Sequence, residues 1–307
     1  MERTGRNAAF GRGLSVDWPG EPILGSIYGD EEVEAAVGAI RASMDYTRGF
    51  GFICPEIQGF ESAFAAHCGA AHAISINGAG TGLDMAMMCL DLQPGDEVIC
   101  PSVNFRAAPM AIIGQGGTWV PCEVDPATLQ ADPEDVERRM SPRTRAILPV
   151  HMNGGPAPMD EYAAIAARHP HPRHGPPRIV YDAARACGAR YRGRRVGGPD
   201  GWMTIFSFHT QKLMSTLGEG GAVTTDDPAV FERLRDIRQF GGEGGWGTNY
   251  KLTKVQAAVG LVQLPKLDAF IAARRRLPAR RDEILRGRGA VLPTTRVHGG
   301  EPTDFHY

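Results

Sequence analysis

One lysine, Lys212, stands where its amine could do covalent chemistry. It lies in the stretch Ser207-Phe208-His209-Thr210-Gln211-Lys212-Leu213-Met214-Ser215-Thr216-Leu217-Gly218-Glu219-Gly220-Gly221. The apolar, β-prone run Trp202 to Phe208 leads into it, and the glycine cluster folds the chain back into a second run, Ala222-Val223-Thr224-Thr225. A lysine at a strand end, among apolar residues and tight turns, loses solvation. That lowers its pKa from about 10.4 towards the range in which the free amine attacks carbonyls. The chemistry is Schiff-base formation. A surface lysine in a hairpin is the alternative, and an isolated lysine would favour it; three further stretches shift the balance.

The first is Asn77-Gly78-Ala79-Gly80-Thr81-Gly82, between an apolar strand and a helix. Its backbone N–H groups, the helix dipole and the Thr81 hydroxyl could converge on one phosphate. A dinucleotide loop fits poorly, because the third glycine of its fingerprint falls on Leu83 and the next strand ends in Pro101-Ser102, without an acid for a ribose. No Gly-Lys-Ser/Thr follows either, which removes a Walker loop. A plain turn and a phosphate cup both stay open. The second stretch is Tyr181-Asp182-Ala183-Ala184-Arg185, in which Asp182 ends an apolar strand at the edge where α/β sheets bind ligands. A carboxylate there can keep a pyridine nitrogen protonated, or it can cap the next helix. The third is Gly247-Thr248-Asn249-Tyr250-Lys251-Leu252, ahead of a helix carrying Gln256-Ala257-Ala258. Asn249 could cap that helix or donate to an anion.

The positioning elements alternate along the chain. Asp30-Glu31-Glu32 starts a helix with Val33, Ala36, Val37, Ile40 and Met44 on one stripe, and Pro55 to His67 makes a second helix with Phe60 and Phe64 one turn apart. Strands are expected at 73–76, 97–100, 118–122, 146–150, 178–181, 202–208 and 222–225. Helices are expected at 83–90, 107–113, 132–140, 159–168, 228–238 and 252–268, the last continuing to Arg286 after a break near Pro265. This alternation indicates an α/β protein with a mainly parallel sheet and helices on both faces.

Together with Pro94-Gly95-Asp96-Glu97-Val98, Pro101-Ser102-Val103-Asn104-Phe105 and His151-Met152-Asn153-Gly154, these blocks run in an order that resembles the DegT/DnrJ/EryC1/StrS family. Those are pyridoxal-phosphate aminotransferases of fold type I that act on sugars and cyclitols. The resemblance covers about Pro22 to Asp268. It implies a seven-stranded, mainly parallel sheet sandwiched by helices, with a small C-terminal domain. It divides the chain into a lead-in (1–20), a large cofactor-binding domain (21–265) and a linking helix with the start of the small domain (266–307).

By that resemblance pyridoxal 5′-phosphate is the cofactor. Lys212 forms the Schiff base and moves a proton between substrate and cofactor, and Asp182 pairs with the ring nitrogen. Ser207 and the backbone around Gly80 and Thr81 hold the phosphate, and Phe105 stacks on the ring. Asn249 reaches the phosphate of the neighbouring subunit, which implies a homodimer. The implied reaction moves an amino group from L-glutamate or L-glutamine to a keto-sugar nucleotide or keto-cyclitol. A cofactor-binding but silent subunit is the alternative, and Lys212 argues against the family's dehydratase branch, which has a histidine there. Three departures stand out. The family's Ser-Gly-Thr cup reads Gly78-Ala79-Gly80, Arg185 replaces a glutamine near the phenolic oxygen, and the chain stops where the small domain would begin, so that either the sequence is truncated or its small domain is reduced. A fixed charge at Arg185 favours the deprotonated Schiff base and a lower pH optimum.

Composition adds boundaries. With 307 residues, 42% hydrophobic and 22% charged, the chain can bury a large core. A net charge of −2 gives no push towards nucleic acid or an anionic membrane. Six cysteines without metal or C-x-x-C spacing, and no apolar run read as long enough to span a bilayer, point to a reduced cytoplasmic setting. The loop of His169, His171 and His174 lacks a completing ligand for a metal and reads as solvated.

Overall fold

A computed structural model of the chain describes residues 27–45, 47, 53–242 and 245–288, with backbone alone for 277–282. The lead-in, the loop from Arg48 to Phe52 and the last residues to Tyr307 fall outside this set. In chain order the elements are α1 (Asp30–Ala42), α2 (Pro55–Cys68), β1 (His72–Ile76), α3 (Ala79–Leu90), β2 (Glu97–Pro101), α4 (Ala107–Gly114), β3 (Thr118–Cys122), α5 (Pro133–Arg139) and β4 (Thr144–Ile147). There follow α6 (Met159–Arg168), β5 (Arg178–Asp182), a small hairpin of β6 (Arg190–Tyr191) and β7 (Arg194–Arg195), β8 (Met203–Ser207), β9 (Gly221–Thr225), α7 (Pro228–Arg238), α8 (Lys254–Gln263) and α9 (Leu267–Arg286). The main sheet has seven strands in the order β1-β9-β8-β5-β4-β2-β3. Strands β8, β5, β4, β2 and β3 pair in parallel, and β9 runs antiparallel to both β8 and β1.

Side chains alternate across a strand, so each strand feeds two cores. One face carries Phe60, Phe64, Tyr162, Tyr181 and Phe206. The other carries Ile74, Ile76, Leu83, Val180, Ile205 and Val223, under α3, α4 and α7. Asp182 has the parity of Val180, and Ser207 that of Ile205. Both therefore leave the sheet on the α3 side, at the carboxyl ends of neighbouring strands.

The open edge of the sheet, β1, is closed by an ion pair between buried Arg238 and part-buried Glu61 that nothing in the sequence pattern announced. Ser75 donates to Glu61 through its backbone N–H and its hydroxyl, at 2.8 Å each. Arg238, only 2% exposed, donates to the Ser75 carbonyl at 3.0 Å and pairs with Glu61. The edge thus has no free ladder groups at Ser75 for another strand.

The apolar stripe of α1 faces outward, with Val33 60%, Ile40 55% and Met44 76% exposed, whereas the buried residues of the helix are Glu32 and Ala39. Glu32 turns inward because its carboxylate collects the Gly29 N–H at 2.8 Å, Gln263 Nε2 at 2.7 Å and Lys266 Nζ at 2.7 Å. Burial opposes its charge, but those bonds hold it below the usual carboxylate range. One expectation is corrected: Lys254–Arg276 reaches membrane-spanning length, and its most apolar stretch has a mean hydropathy of 1.2. It is broken by a 3-10 turn at Leu264–Lys266, with Ala257 and Val259 fully buried.

Candidate active site

The amino end of α3 lies beside β1, β8 and β9. Gly78 is its N-cap, without a side-chain cap, so the first-turn N–H groups point outward with the dipole behind them. A Cβ on Gly80 would meet open space. The Thr81 hydroxyl donates to Asn77 Oδ1 at 2.7 Å, and the Asn77 N–H donates to the Tyr250 carbonyl at 2.9 Å. Helix α3 starts at Ala79, four residues earlier than the expected start at Leu83, and so includes the glycines themselves.

Asp182 ends β5 and is 4% exposed. No helix follows it. Its Oδ1 accepts the Ala184 N–H at 2.9 Å in a turn, so the capping alternative is realised only locally. Burial raises its pKa from the ordinary carboxylate value, while the Ala184 N–H, the Lys212 ammonium and the Arg185 guanidinium pull it back. Lys212 therefore stands within electrostatic reach of Asp182. Burial, then the neighbouring Cys122 and Asp182, push the Cys100 thiol far up.

The lysine loop is the connection from β8 to β9. Its ends are clamped by the strands, with Ser207 paired to Gly221 and the Phe208 N–H donating to the Gly220 carbonyl at 2.8 Å. Inside the clamp, Thr210 donates to the Gly218 carbonyl through N–H and hydroxyl, and Thr216 Oγ1 donates to the Glu219 carbonyl at 2.8 Å. Gln256 Nε2 donates to that same carbonyl at 2.7 Å from outside the loop. Gly220 has φ of 152°, and a Cβ there would lie 2.1 Å from Thr216 Oγ1, so a glycine is required. Lys212 itself is half-buried.

Lys212, Asp182, Ser207, Gly80 and Thr81 thus all lie at the carboxyl ends of β1, β5 and β8 or in the segments that follow them. Arg185 is exposed on the turn after Asp182. Phe105, after β2, is 71% exposed, with its ring uncovered. Asn249 is exposed on the rim, bridged to Gln239; it does not cap α8, because Thr253 does, in a capping box with Gln256. His151 is wholly buried and stacks on Tyr181 at 4.9 Å, and burial pushes its imidazole down to about 3. His209 is half-exposed, 3.9 Å from the Glu219 carboxylate.

The histidine loop is less solvated than its composition suggests, because His171 is 6% exposed and packs on His174 at 4.7 Å. Among the described residues no group of three or more histidine, cysteine or acidic side chains is placed to hold a metal. One residue at the site had no sequence signal: Tyr28, whose hydroxyl touches the lysine loop.

Residues 28–306 match the model of the DegT/DnrJ/EryC1/StrS aminotransferase family. The chain belongs to that family. Among curated members it is 41% identical, over 270 residues, to the dTDP-3-amino-3,4,6-trideoxy-alpha-D-glucose transaminase of Streptomyces venezuelae, covering 86% of this chain and 68% of that one. It is 39% identical over 225 residues to the GDP-perosamine synthase of Caulobacter vibrioides, covering 71% of this chain and 58% of that one. The crystal structure of S. venezuelae DesV in complex with a ketimine intermediate superposes with a TM-score of 0.78 at 39% identity, over 89% of this chain and 72% of that one. The chain spans 68% of the length of the first of these curated relatives and 58% of the second.

Proposed function

We propose that the chain is a pyridoxal-phosphate aminotransferase that moves an amino group from L-glutamate or L-glutamine to a keto-sugar nucleotide or a keto-cyclitol. The observation that carries this reading is one sheet edge that gathers a buried carboxylate, a lysine within its electrostatic reach and an uncapped helix N-terminus. Pyridoxal phosphate, when bound, supplies an electron-withdrawing ring and an aldehyde carbon able to carry an amino group. The site's chemistry fits such a group at both ends. The free first-turn N–H groups of α3, the backbone at Gly80 and Thr81, and the Ser207 hydroxyl suit a phosphate dianion. Asp182, held by the Ala184 N–H, suits a protonated pyridine nitrogen.

Lys212 is then the amine that attaches the cofactor and, once released, the base that moves a proton at the substrate carbon. Arg185 brings a fixed positive charge to the phenolic side, and Phe105 is free to cover a ring face. The exposed apolar stripe of α1 adjoins a cavity of about 440 Å³ lined by Ile40, Cys54, Ile57, Asn249 and Leu252. That surface supports a homodimer in which Asn249 reaches the neighbouring subunit's phosphate, and sedimentation at twice 33.1 kDa is the expected result. Six free thiols, five of them buried, accord with a reduced cytoplasmic setting.

Mixing the purified protein with pyridoxal phosphate tests the reading. A visible band is expected that borohydride fixes onto Lys212 and L-glutamate bleaches. Labelling elsewhere, or a band that no amino donor bleaches, would overturn it.

A further inference from the structure

We infer that Tyr28 is a positioning residue for the loop that presents Lys212, an inference that rests on the reading of Lys212 as the cofactor-bearing amine. The phenolic oxygen of Tyr28 accepts the Leu217 N–H at 3.0 Å, across 189 residues of sequence. Leu217 is held at φ 62°, next to Gly218 at 111°. A bulky residue in the left-handed region is strained, so the turn needs a partner outside itself to stay in place.

Tyr28 is itself anchored. Gln263 of α8, fully buried, donates to the Ile27 carbonyl at 2.9 Å and to Glu32 at 2.7 Å, and Lys266 donates to the same carboxylate at 2.7 Å. Helix α8 therefore grips the lysine loop at two points. One is direct, from Gln256 to the Glu219 carbonyl. The other runs through Ile27–Glu32 and the Tyr28 hydroxyl to Leu217. A long lysine side chain is only as well placed as its backbone, and a misplacement of about 1 Å can cost about 10²-fold in rate.

Tyr28→Phe keeps the ring and removes the acceptor. In the protein without cofactor, amide exchange of the 213–220 peptide, followed by mass spectrometry, should quicken about fivefold, the size of one hydrogen bond. With pyridoxal phosphate and borohydride, labelling of Lys212 should slow several-fold while labelling of Lys254 and Lys266 stays unchanged. The thermal midpoint should stay within about 2–4 °C, the shift expected for about 1 kcal/mol. Slower labelling with unchanged exchange would overturn the proposal, because Tyr28 would then act on the ligand directly. Faster exchange with unchanged labelling would overturn it too, as a strut without influence on the amine. If Lys212 takes no label in either protein, the cofactor reading fails, and the positioning role with it; the exchange result still reports the strut.

Discussion

Replacing Gly82 with alanine sets two effects of known size against each other at the phosphate end of the site. Alanine in a helix interior is favoured over glycine by about 1 kcal/mol, so propensity alone stabilises. Packing opposes it. A Cβ on Gly82 would lie 2.9 Å from Ile205 Cγ2, 2.9 Å from Ile76 Cδ1 and 3.2 Å from Val223 Cγ2. These three side chains are fully buried on three adjacent strands, so none can swing aside. Helix α3 must lift from the sheet, and such overpacking costs about 1–3 kcal/mol. The net loss is about 1 kcal/mol, a thermal midpoint lower by about 2–4 °C. The lift also moves the first-turn N–H groups, so the dissociation constant for pyridoxal phosphate should rise about tenfold, or 1.4 kcal/mol. Calorimetry and absorbance titration read both quantities. Gly38→Ala in α1 is the control, because its Cβ meets nothing within 4 Å, and it should show the propensity gain alone. If Gly82→Ala matches that control in stability and binds cofactor like the parent, the close approach of α3 to the sheet does not position the site.

Two further perturbations have signs fixed by the structure. Burial raises the folded-state pKa of Asp182, so the folded protein holds that proton more tightly than the unfolded chain does. The corresponding stability is present below the ordinary value of 3.8 and lost as pH rises through the folded value. Asp182→Asn keeps an acceptor for Ala184 and escapes that loss. Calorimetry of the cofactor-free protein should find it equal to the parent at low pH and more stable at pH about 8, while its half-reaction with L-glutamate falls about 10- to 150-fold, the worth of a charged hydrogen bond. An equal stability difference at both pH values would contradict this. Arg238→Ala strands the part-buried Glu61 carboxylate and the buried Ser75 carbonyl, and urea unfolding should show a loss of about 1–3 kcal/mol, part of which Glu61→Met with Arg238→Met regains.

What could be read from the chain, and what could not, follows the range of the interactions involved. Alternating apolar runs delivered the seven strands, because their period and bounding turns are local. They also placed Asp182 at a strand end, while Ser207 entered through the family resemblance. The stripe on α1 shows which residues share a face but not which face is buried. There a charged residue, Glu32, finds Gln263 and Lys266, more than 230 positions later. The same blindness hid Tyr28, an unremarkable tyrosine before a helix whose partner is 189 residues away. Asn249 and Asp182 were both allowed a capping role, and distinguishing the outcomes needed backbone geometry: Thr253 had the better capping box, and a turn followed Asp182 where a helix was allowed for.

The site depends on register more than on any single contact. Asp182 pairs with Ile205 across β5 and β8, and Ser207 pairs with Gly221 across β8 and β9. Neighbouring strands lie about 4.8 Å apart, so the carboxylate, the hydroxyl and the helix N-terminus are spaced by the sheet itself. A one-residue slip of β8 would bring Phe206 or Phe208 to the position of Ser207 and reverse every side chain of the strand. The slip is opposed on both faces, since Phe206 and Phe208 pack edge-on against Phe64 at 5.0 and 5.2 Å while Ile205 lies under α3. The apolar residues that carry no chemistry are therefore what keeps the lysine loop and the aspartate in step, and core substitutions at Phe64 or Phe206 act on the site through register.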